Sequence, residues 1–448
     1  MSYAADLHLH SHYAYATSPA LTLENLAHWA KLKGIDLLAT GDFTHPAWLQ
    51  ELRQKLAPSG PGVYRLVEAV PWAGGIPANP RGEAQFVLGT EVSCVYRQAG
   101  RARRVHLLLL APDLDAAARL TAALAPWGNL EADGRPTLNL SARDMTVLAL
   151  EIHPDCIIIP AHIWTPWYGV YGSKSGFDHL EECFLDVTPQ VHAVETGLSS
   201  DPAMNWPVPE LVDRTIVSFS DAHSLPKLGR ELTIFDGDLS YPSLRQALSD
   251  NRVAYTVEFY PEEGKYHYSG HRKCGVRQSP EDTRRQGSRC PVCGHPLTLG
   301  VLHRTLGLSR DETSLLSQDH MVCQPGPDGF IRSPQGRPPF VRLLPLAEII
   351  SQALGQKAQG QRVQQEYLSI VRELGNELNV LLRASPADLA AAAGEVVAQG
   401  VLRARRGEVD LDPGYDGVYG RVMVWPGGHP APGRTKPLTA QQLRLEIC

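Results

Sequence analysis

The sequence predicts an α/β fold: a seven-stranded, TIM-like β/α barrel, then a small cysteine-bearing module and a mainly helical C-terminal region. Three observations carry this. Over residues 1–257 short apolar runs alternate with helical stretches, the rhythm of parallel α/β folds. Each of seven runs has a His, Asp or Glu at or near its end, and a barrel gathers its functional residues on one rim. Past residue 257 the rhythm stops, and all closely spaced cysteines fall within 258–336.

Strands are expected at 5–10, 36–42, 85–91, 104–111, 156–162, 191–195 and 215–221. Between the first two, Leu23, Leu26, Ala27 and Ala30 follow Thr22 at helical spacing with the threonine as N-cap, and 114–124 and 145–152 repeat the pattern. Residues 258–336, rich in Gly, Pro and Arg, read as a basic zinc-binding module and linker. Beyond Pro338 and Pro339, helices at 343–354, 367–382 and 386–399 make 337–426 a helical C-terminal domain, and 427–448 a mobile tail.

Composition bounds the function. With 43% hydrophobic and 20% charged residues the chain can bury a large core, which excludes wholesale disorder. The apolar runs 107–111 and 156–159 are far too short for a span and Met1 to Asp6 is no leader, so a cytoplasmic protein without a membrane partner is expected. Eight cysteines are too sparse for a disulfide framework. The net charge of −6 hides an asymmetry: residues 1–250 hold 18 Lys and Arg against 28 Asp and Glu, residues 251–448 hold 24 against 20. Within 264–310 nine basic residues face only Glu281 and Asp282, a composition suited to a polyanion such as DNA. The 33 arginines against 9 lysines suit bidentate phosphate contact, or reflect genome composition.

His8 and His10 stand two apart, which on a strand puts both imidazoles on one face, and Asp221 and His223 repeat that spacing at the last strand. Either pair alone is commonplace. Their coincidence with Glu91, His106, His162 and Glu195 at other strand ends is the stronger signal. Imidazoles and carboxylates without a thiolate suit Zn²⁺, Mn²⁺ or Fe²⁺ at a hydrolytic, phosphoester-cleaving site, where a carboxylate bridges two ions. Cys94, Cys156 and Cys183 read as small buried hydrophobes.

The stretches DLHLHSH, GTEVS, RVHLLL, PAH and SDAH resemble, in order and spacing, the polymerase and histidinol phosphatase (PHP) superfamily. That resemblance implies a β/α barrel with two or three catalytic divalent cations (Zn²⁺, Mg²⁺ or Mn²⁺). His8, His10, Glu91 and Asp221 would hold one, Glu91 would bridge to a second held by His106 and His162, and His223 would serve a third. For the third, the family's adjacent Asp-His is replaced by Gly41-Asp42-Phe43-Thr44-His45, so Asp42 or His45 would ligate, with His12 in reserve. Asp221, Glu91 and His223 are the expected catalytic group. Further stretches, LENLAHWAKLKGIDLLATGDFTHPAW, YHYSGHRKCG, CPVCGHPLTLGVLHR and DPGYDGVYGRV, resemble the endonuclease Q family. The resemblance implies a metal-dependent DNA repair endonuclease cutting 5′ of a deaminated base (uracil, hypoxanthine, xanthine) or an abasic site.

His271-x-x-Cys274 followed by Cys290-x-x-Cys293 has the spacing of one structural zinc site, with His267, His295 and His303 as alternatives for its histidine. Around the knuckles Arg272, Lys273, Arg277, Arg289 and Arg304 are the expected DNA contacts. The aromatic loop after His162, with Trp164, Trp167 and Tyr171, is either barrel packing or a stacking pocket for an extruded lesion base. Lys174 lies in no phosphate loop, so no ATP partner is expected. Residues 442–445 resemble a sliding-clamp peptide but lack its terminal aromatic, so a solvated tail is preferred to a clamp partner. Two other functions fit parts of the chain: a small-molecule phosphomonoesterase of the histidinol phosphatase type, which lacks use for a basic module, and a non-catalytic DNA-binding scaffold, which lacks use for a full ligand set.

Overall fold

The computed structural model describes residues 2–68, 84–309 and 324–428. The strands that frame the first half are β1 (Ser2–Asp6), β2 (Leu37–Ala39), β3 (Leu56–Gly60), β4 (Val63–Leu66), β5 (Gln85–Gln98), β6 (Arg101–Ala111), β7 (Thr137–Leu138), β8 (Ile157–Pro160), β9 (Ala193–Glu195), β10 (Thr215–Val217), β11 (Leu232–Asp236) and β12 (Val253–Glu258). Later come β13 (Ser269–His271), β14 (Val276–Gln278) and β15 (Phe340–Arg342). Eleven of these form one sheet whose main path is β15-β12-β11-β1-β2-β5-β4-β3, with β6 and β7 on β5 and β8 on β6.

Strand composition explains the placement. Successive residues of each run divide between two apolar clusters: Leu108, Leu110, Ile157, Ile159, Leu37 and Ala39 join one, while Leu107, Leu109, Ile158 and Leu38 join the other. Both faces are thus buried, as in a sheet with helices outside and a filled interior, and each such Leu or Ile contributes about 1.5–3 kcal/mol. Helix Tyr241–Ser249 closes one end of the interior cluster through Tyr241, Leu244, Ala247 and Leu248. The Tyr241 hydroxyl donates to the carbonyls of Leu110 and Asp155.

All seven expected strands occur, but most stop two to four residues short of the predicted ends, so His8, His10, Asp42, His162 and Asp221 lie on the loops beyond them. The strict strand-then-helix repeat does not hold. β5 pairs antiparallel with the whole of β6 from Leu88 to Gln98, the two joined by Ala99 (φ 50°) and Gly100 (φ 76°), the two left-handed residues of a tight hairpin. β8 is antiparallel to β6, whereas β1, β2 and β5 are mutually parallel. Among the described residues β9 and β10 pair as strands only with each other, and they join the rest through hydrogen bonds such as Ile163 N to the Glu195 carbonyl and Thr215 Oγ1 to the Leu248 carbonyl. The described ladders therefore draw a large mixed sheet plus a two-stranded sheet rather than a closed ring.

The expected helix at 367–382 is two helices, Gln361–Leu374 and Glu377–Leu382, because Gly375 (φ 93°) ends the first and Asn376 caps the second through Asn379 N. Helix Pro386–Arg405 bends at Gly394 (φ 72°). The C-terminal region docks on the first half through a buried ion pair, Lys33 Nζ to Glu377 Oε2 at 2.6 Å, with the Tyr367 hydroxyl donating to the same oxygen at 2.7 Å. β15 extends the main sheet by pairing parallel with β12, so the helical region is not separate from it. Among the described residues no helix is long and apolar enough to cross a membrane. Most of the predicted tail, and the clamp-like residues 442–445, lie outside the described residues.

Candidate active site and metal centres

The loops beyond β1, β8 and β10 bring His8, His10, His162 and Asp221 to Glu91 and His106, which lie in the middle of β5 and β6 rather than at the expected strand ends, and to Glu195, the last residue of β9. The ligand atoms of His8, His10, Glu91 and Asp221 lie within 4.8 Å of one another, as do those of Glu91, His106 and His162. Glu91 belongs to both groups. Its Oε2 is 3.4 Å from His8 Nε2 and 3.3 Å from His10 Nε2, while Oε1 is 2.5 Å from His106 Nδ1 and 3.1 Å from His162 Nε2. Asp221 Oδ1 closes the first group at 3.2 Å from His10 Nε2.

The loops that do this are strained. Asp42, His162 and Asp221 have φ of 49°, 31° and 45°, a region L residues avoid at a cost of about 1–3 kcal/mol each, and such costs concentrate at functional sites. Gly197 permits the closest approach: a Cβ there would meet His162 Cβ at 2.4 Å. The imidazoles are held from behind. Glu195 takes His8 Nδ1 at 2.9 Å, and Asp42 takes His10 Nδ1 at 3.0 Å while accepting from Ser11 N and Oγ. Carboxylate partners of this kind fix the ring and turn its other nitrogen toward a metal.

Electrostatics fits a cation. Burial opposes charge on Glu91 and Asp221, but the neighbouring histidines hold both carboxyls far below their ordinary range. Burial likewise opposes charge on His8 and His10, yet the surrounding carboxylates raise both well above ordinary histidine. Desolvation brings His106 down to about 4, leaving a neutral ring able to ligate. His8 Nε2 is fully buried and makes no hydrogen bond, aimed between Glu91 and Asp221. An orphaned imidazole nitrogen facing two ionised carboxylates matches the donor set of a divalent ion.

Of the two or three expected cations, the residues named for a third do not gather as a ligand group among the described residues. Asp42 is spent on His10 and Ser11, and His45 stacks on Tyr13 with Nε2 toward the Glu131 carbonyl. Among the described residues neither joins His223 in a ligand group. His223 packs its ring 4.6 Å from that of His10 and turns Nδ1 to the Asp221 carbonyl, and His12 faces Glu51 at 4.0 Å. Sequence reading left Glu195 without a role and missed Arg135, whose Nη1 is 3.3 Å from Glu91 Oε2; nothing in chain order signals a residue from a connecting loop.

In the second half, His271, Cys274, Cys290 and Cys293 converge within 4.8 Å of one another, and it is His271 that completes the set. Burial resists ionisation of Cys290, but the N–H groups of Cys293 and Val292 and His271 bring its thiol down to about 6, as a zinc ligand requires. Arg272, Lys273 and Arg289 are exposed around this group. Two expected DNA contacts are otherwise engaged. Arg304 binds the carbonyls of Tyr171 and Phe177 and the Asp178 carboxylate, stitching the module to the sheet domain, and Arg277 pairs with Asp412. The aromatic loop also divides. Trp164 and Tyr171 are core, the indole donating to Asn205 Oδ1 and the phenol to Glu210, so neither offers a stacking face. Trp167 is 38% exposed and packs edge-on against Tyr266.

A family model described as the MJ0043 C-terminal domain matches residues 345–408. Protein MJ0043 of Methanocaldococcus jannaschii is 31% identical over 296 residues, 63% of this chain but only 34% of that longer protein. YqxK of Bacillus subtilis is 27% identical over 93% of this chain and 98% of its own. Among solved structures, endonuclease Q in complex with a 27-mer duplex substrate carrying an abasic lesion at the active site superposes with TM-score 0.78, at 30% identity over 96% of this chain and 98% of that one. The lesion-specific endonuclease PfuEndoQ of Pyrococcus furiosus matches with TM-score 0.77. At 30% identity over 94% of this chain and 95% of the Pyrococcus furiosus protein, the chain belongs to the endonuclease Q family.

Proposed function

We propose that this protein is a metal-dependent DNA repair endonuclease that hydrolyses the phosphodiester on the 5′ side of a deaminated base (uracil, hypoxanthine or xanthine) or an abasic site. One observation carries the chemistry: Glu91 offers one oxygen to each of two ligand groups. His8, His10, Glu91 and Asp221 would hold one divalent cation, and Glu91, His106 and His162 another. Such ions, when bound, polarise a phosphoryl oxygen and lower the pKa of a water. The protein's own part is positional: Glu195 and Asp42 orient His8 and His10, strained backbone places His162 and Asp221, and the β5–β6 pair places Glu91 and His106.

Substrate choice rests on the second half and on kinship. The related endonuclease Q was captured on a duplex with an abasic lesion. Here Arg272, Lys273 and Arg289 surround a closed four-ligand zinc site and would hold DNA backbone. Residues 1–257 then act as a barrel-like catalytic domain, 258–336 as the zinc-bearing DNA module and 337–426 as a brace. A phosphomonoesterase would have no use for that module.

The test is incubation of end-labelled duplexes bearing uracil, hypoxanthine, an abasic site or no lesion with Mg²⁺ or Mn²⁺, beside a phosphomonoester. Nicking of lesion strands alone is expected. Release of phosphate from the monoester with intact duplexes would favour the phosphatase reading.

A further inference from the structure

Arg135 lies on the loop preceding β7, and that loop is built rather than loose. Asp133 Oδ1 accepts from Arg135 N at 3.1 Å and from Tyr15 N at 2.9 Å, Gly134 N donates to the Tyr13 carbonyl at 3.0 Å, and Ser93 N donates to the Pro136 carbonyl at 2.9 Å. The loop runs so close to the site that a Cβ on Gly134 would sit 2.5 Å from Asp42 Oδ2. The Arg135 side chain is one-quarter exposed, at the rim, and reaches inward to Glu91 Oε2 at 3.3 Å. That oxygen is the one facing His8 and His10.

The contact is a single, long one through Nη1. Among the described residues Nε and Nη2 have no protein partner. A guanidinium placed to neutralise Glu91 would pair bidentately with it and would compete with a bound cation for the same oxygen. A guanidinium placed beside Glu91 with its remaining donors free suits a second anion arriving at the same spot.

Resting on the endonuclease reading above, we propose that Arg135 is a catalytic residue: its free N–H groups donate to a non-bridging oxygen of the scissile phosphate as the water oxygen bonds to phosphorus and the P–O bond to the departing sugar oxygen breaks, the water's proton balancing the one that the departing hydroxyl gains. Arg135 stabilises the charge that builds on that oxygen and transfers no proton. Preorganised donors of this kind act mainly in the transition state.

Nicking of a lesion duplex is compared for wild type, Arg135→Lys, Arg135→Gln and Arg135→Ala, with bound metal measured on the same samples. The Gln and Ala variants are expected to lose about a hundredfold or more in kcat, with KM raised by no more than about tenfold and metal content held, and Lys to lose less. Guanidinium ion in solution is expected to restore part of the Ala rate. Binding supplies an activity-free readout on the metal-free protein, using an abasic duplex whose scissile phosphate is a neutral methylphosphonate. Wild type is expected to bind it about tenfold more weakly than the normal duplex, and Arg135→Gln to bind both alike. Metal lost in step with activity, or equal losses of affinity in both proteins, would make Arg135 a support for Glu91 and overturn the assignment. If wild type nicks and Arg135→Gln nicks as fast, the assignment alone is wrong. If wild type nicks no lesion duplex, the endonuclease reading itself fails.

Discussion

Glu195 joins two candidate ligands at once, taking His8 Nδ1 on Oε1 at 2.9 Å and the backbone N–H of His162 on Oε2 at 2.7 Å. One carboxylate thus fixes a histidine of the first ligand group and the strained backbone of a histidine of the second. Removing such a support typically costs 10–100-fold in metal affinity. Glu195→Ala is therefore expected to bind divalent metal about 10–100-fold more weakly, with activity restored at high metal concentration. Calorimetric metal titration checks this, and an unchanged affinity would show that the ring is held elsewhere.

Cys290→Ser or Cys293→Ser should each release one zinc. Structural zinc contributes on the order of 10 kcal/mol of local folding energy, so the segment around β13 and β14 should open while the main sheet persists. Elemental analysis together with hydrogen exchange reads both effects. An unchanged zinc content would remove the four-ligand assignment.

The tryptophans separate packing from recognition. Trp164 is 1% exposed and hydrogen-bonded, so Trp164→Ala should destabilise the fold by about 3–5 kcal/mol on every substrate alike. Trp167→Ala should leave stability nearly unchanged and slow nicking at uracil or hypoxanthine more than at an abasic site, which has no base to stack. Equal losses on both substrates would return Trp167 to a structural role.

Burial, with Asp201 nearby, raises the Glu258 carboxyl from 4.5 to about 8 against hydrogen bonds from Ser218, Thr256 and Thr196. The folded chain therefore keeps a proton that the unfolded chain releases above about 4.5. The stability this adds is complete below that pH and is lost as pH rises through about 8. Urea midpoints at pH 6 and 9 should fall less for Glu258→Gln than for wild type, and parallel falls would mean that Glu258 is not the titrating group.

The residues that gather at the candidate site were singled out by their spacing and their nearness to apolar runs, their division into two ligand groups was read only from the family resemblance, and His271 with its three cysteines was singled out by knuckle spacing. What was not legible depends on chain reversal and on neighbours. The Ala99 and Gly100 hairpin turned an expected parallel pair antiparallel, and Gly375 split a helix whose apolar spacing ran straight through it. Asp42 reads as a ligand in sequence but meets His10 and Ser11 first. Arg304 reads as a DNA contact but lies under the Tyr171 and Phe177 carbonyls, and Trp164 and Tyr171 show their burial only in the packed structure.

The most direct measurement is the position and rate of strand cleavage, at single-nucleotide resolution, on a duplex with one uracil, for wild type and Glu91→Gln before and after metal chelation. A single cut 5′ of the uracil is expected, abolished by chelation, restored by Mn²⁺ or Mg²⁺, and lost in Glu91→Gln while that variant still binds the duplex. Cleavage by Glu91→Gln at the wild-type rate, or equal cutting of undamaged DNA, would contradict the shared-carboxylate lesion endonuclease.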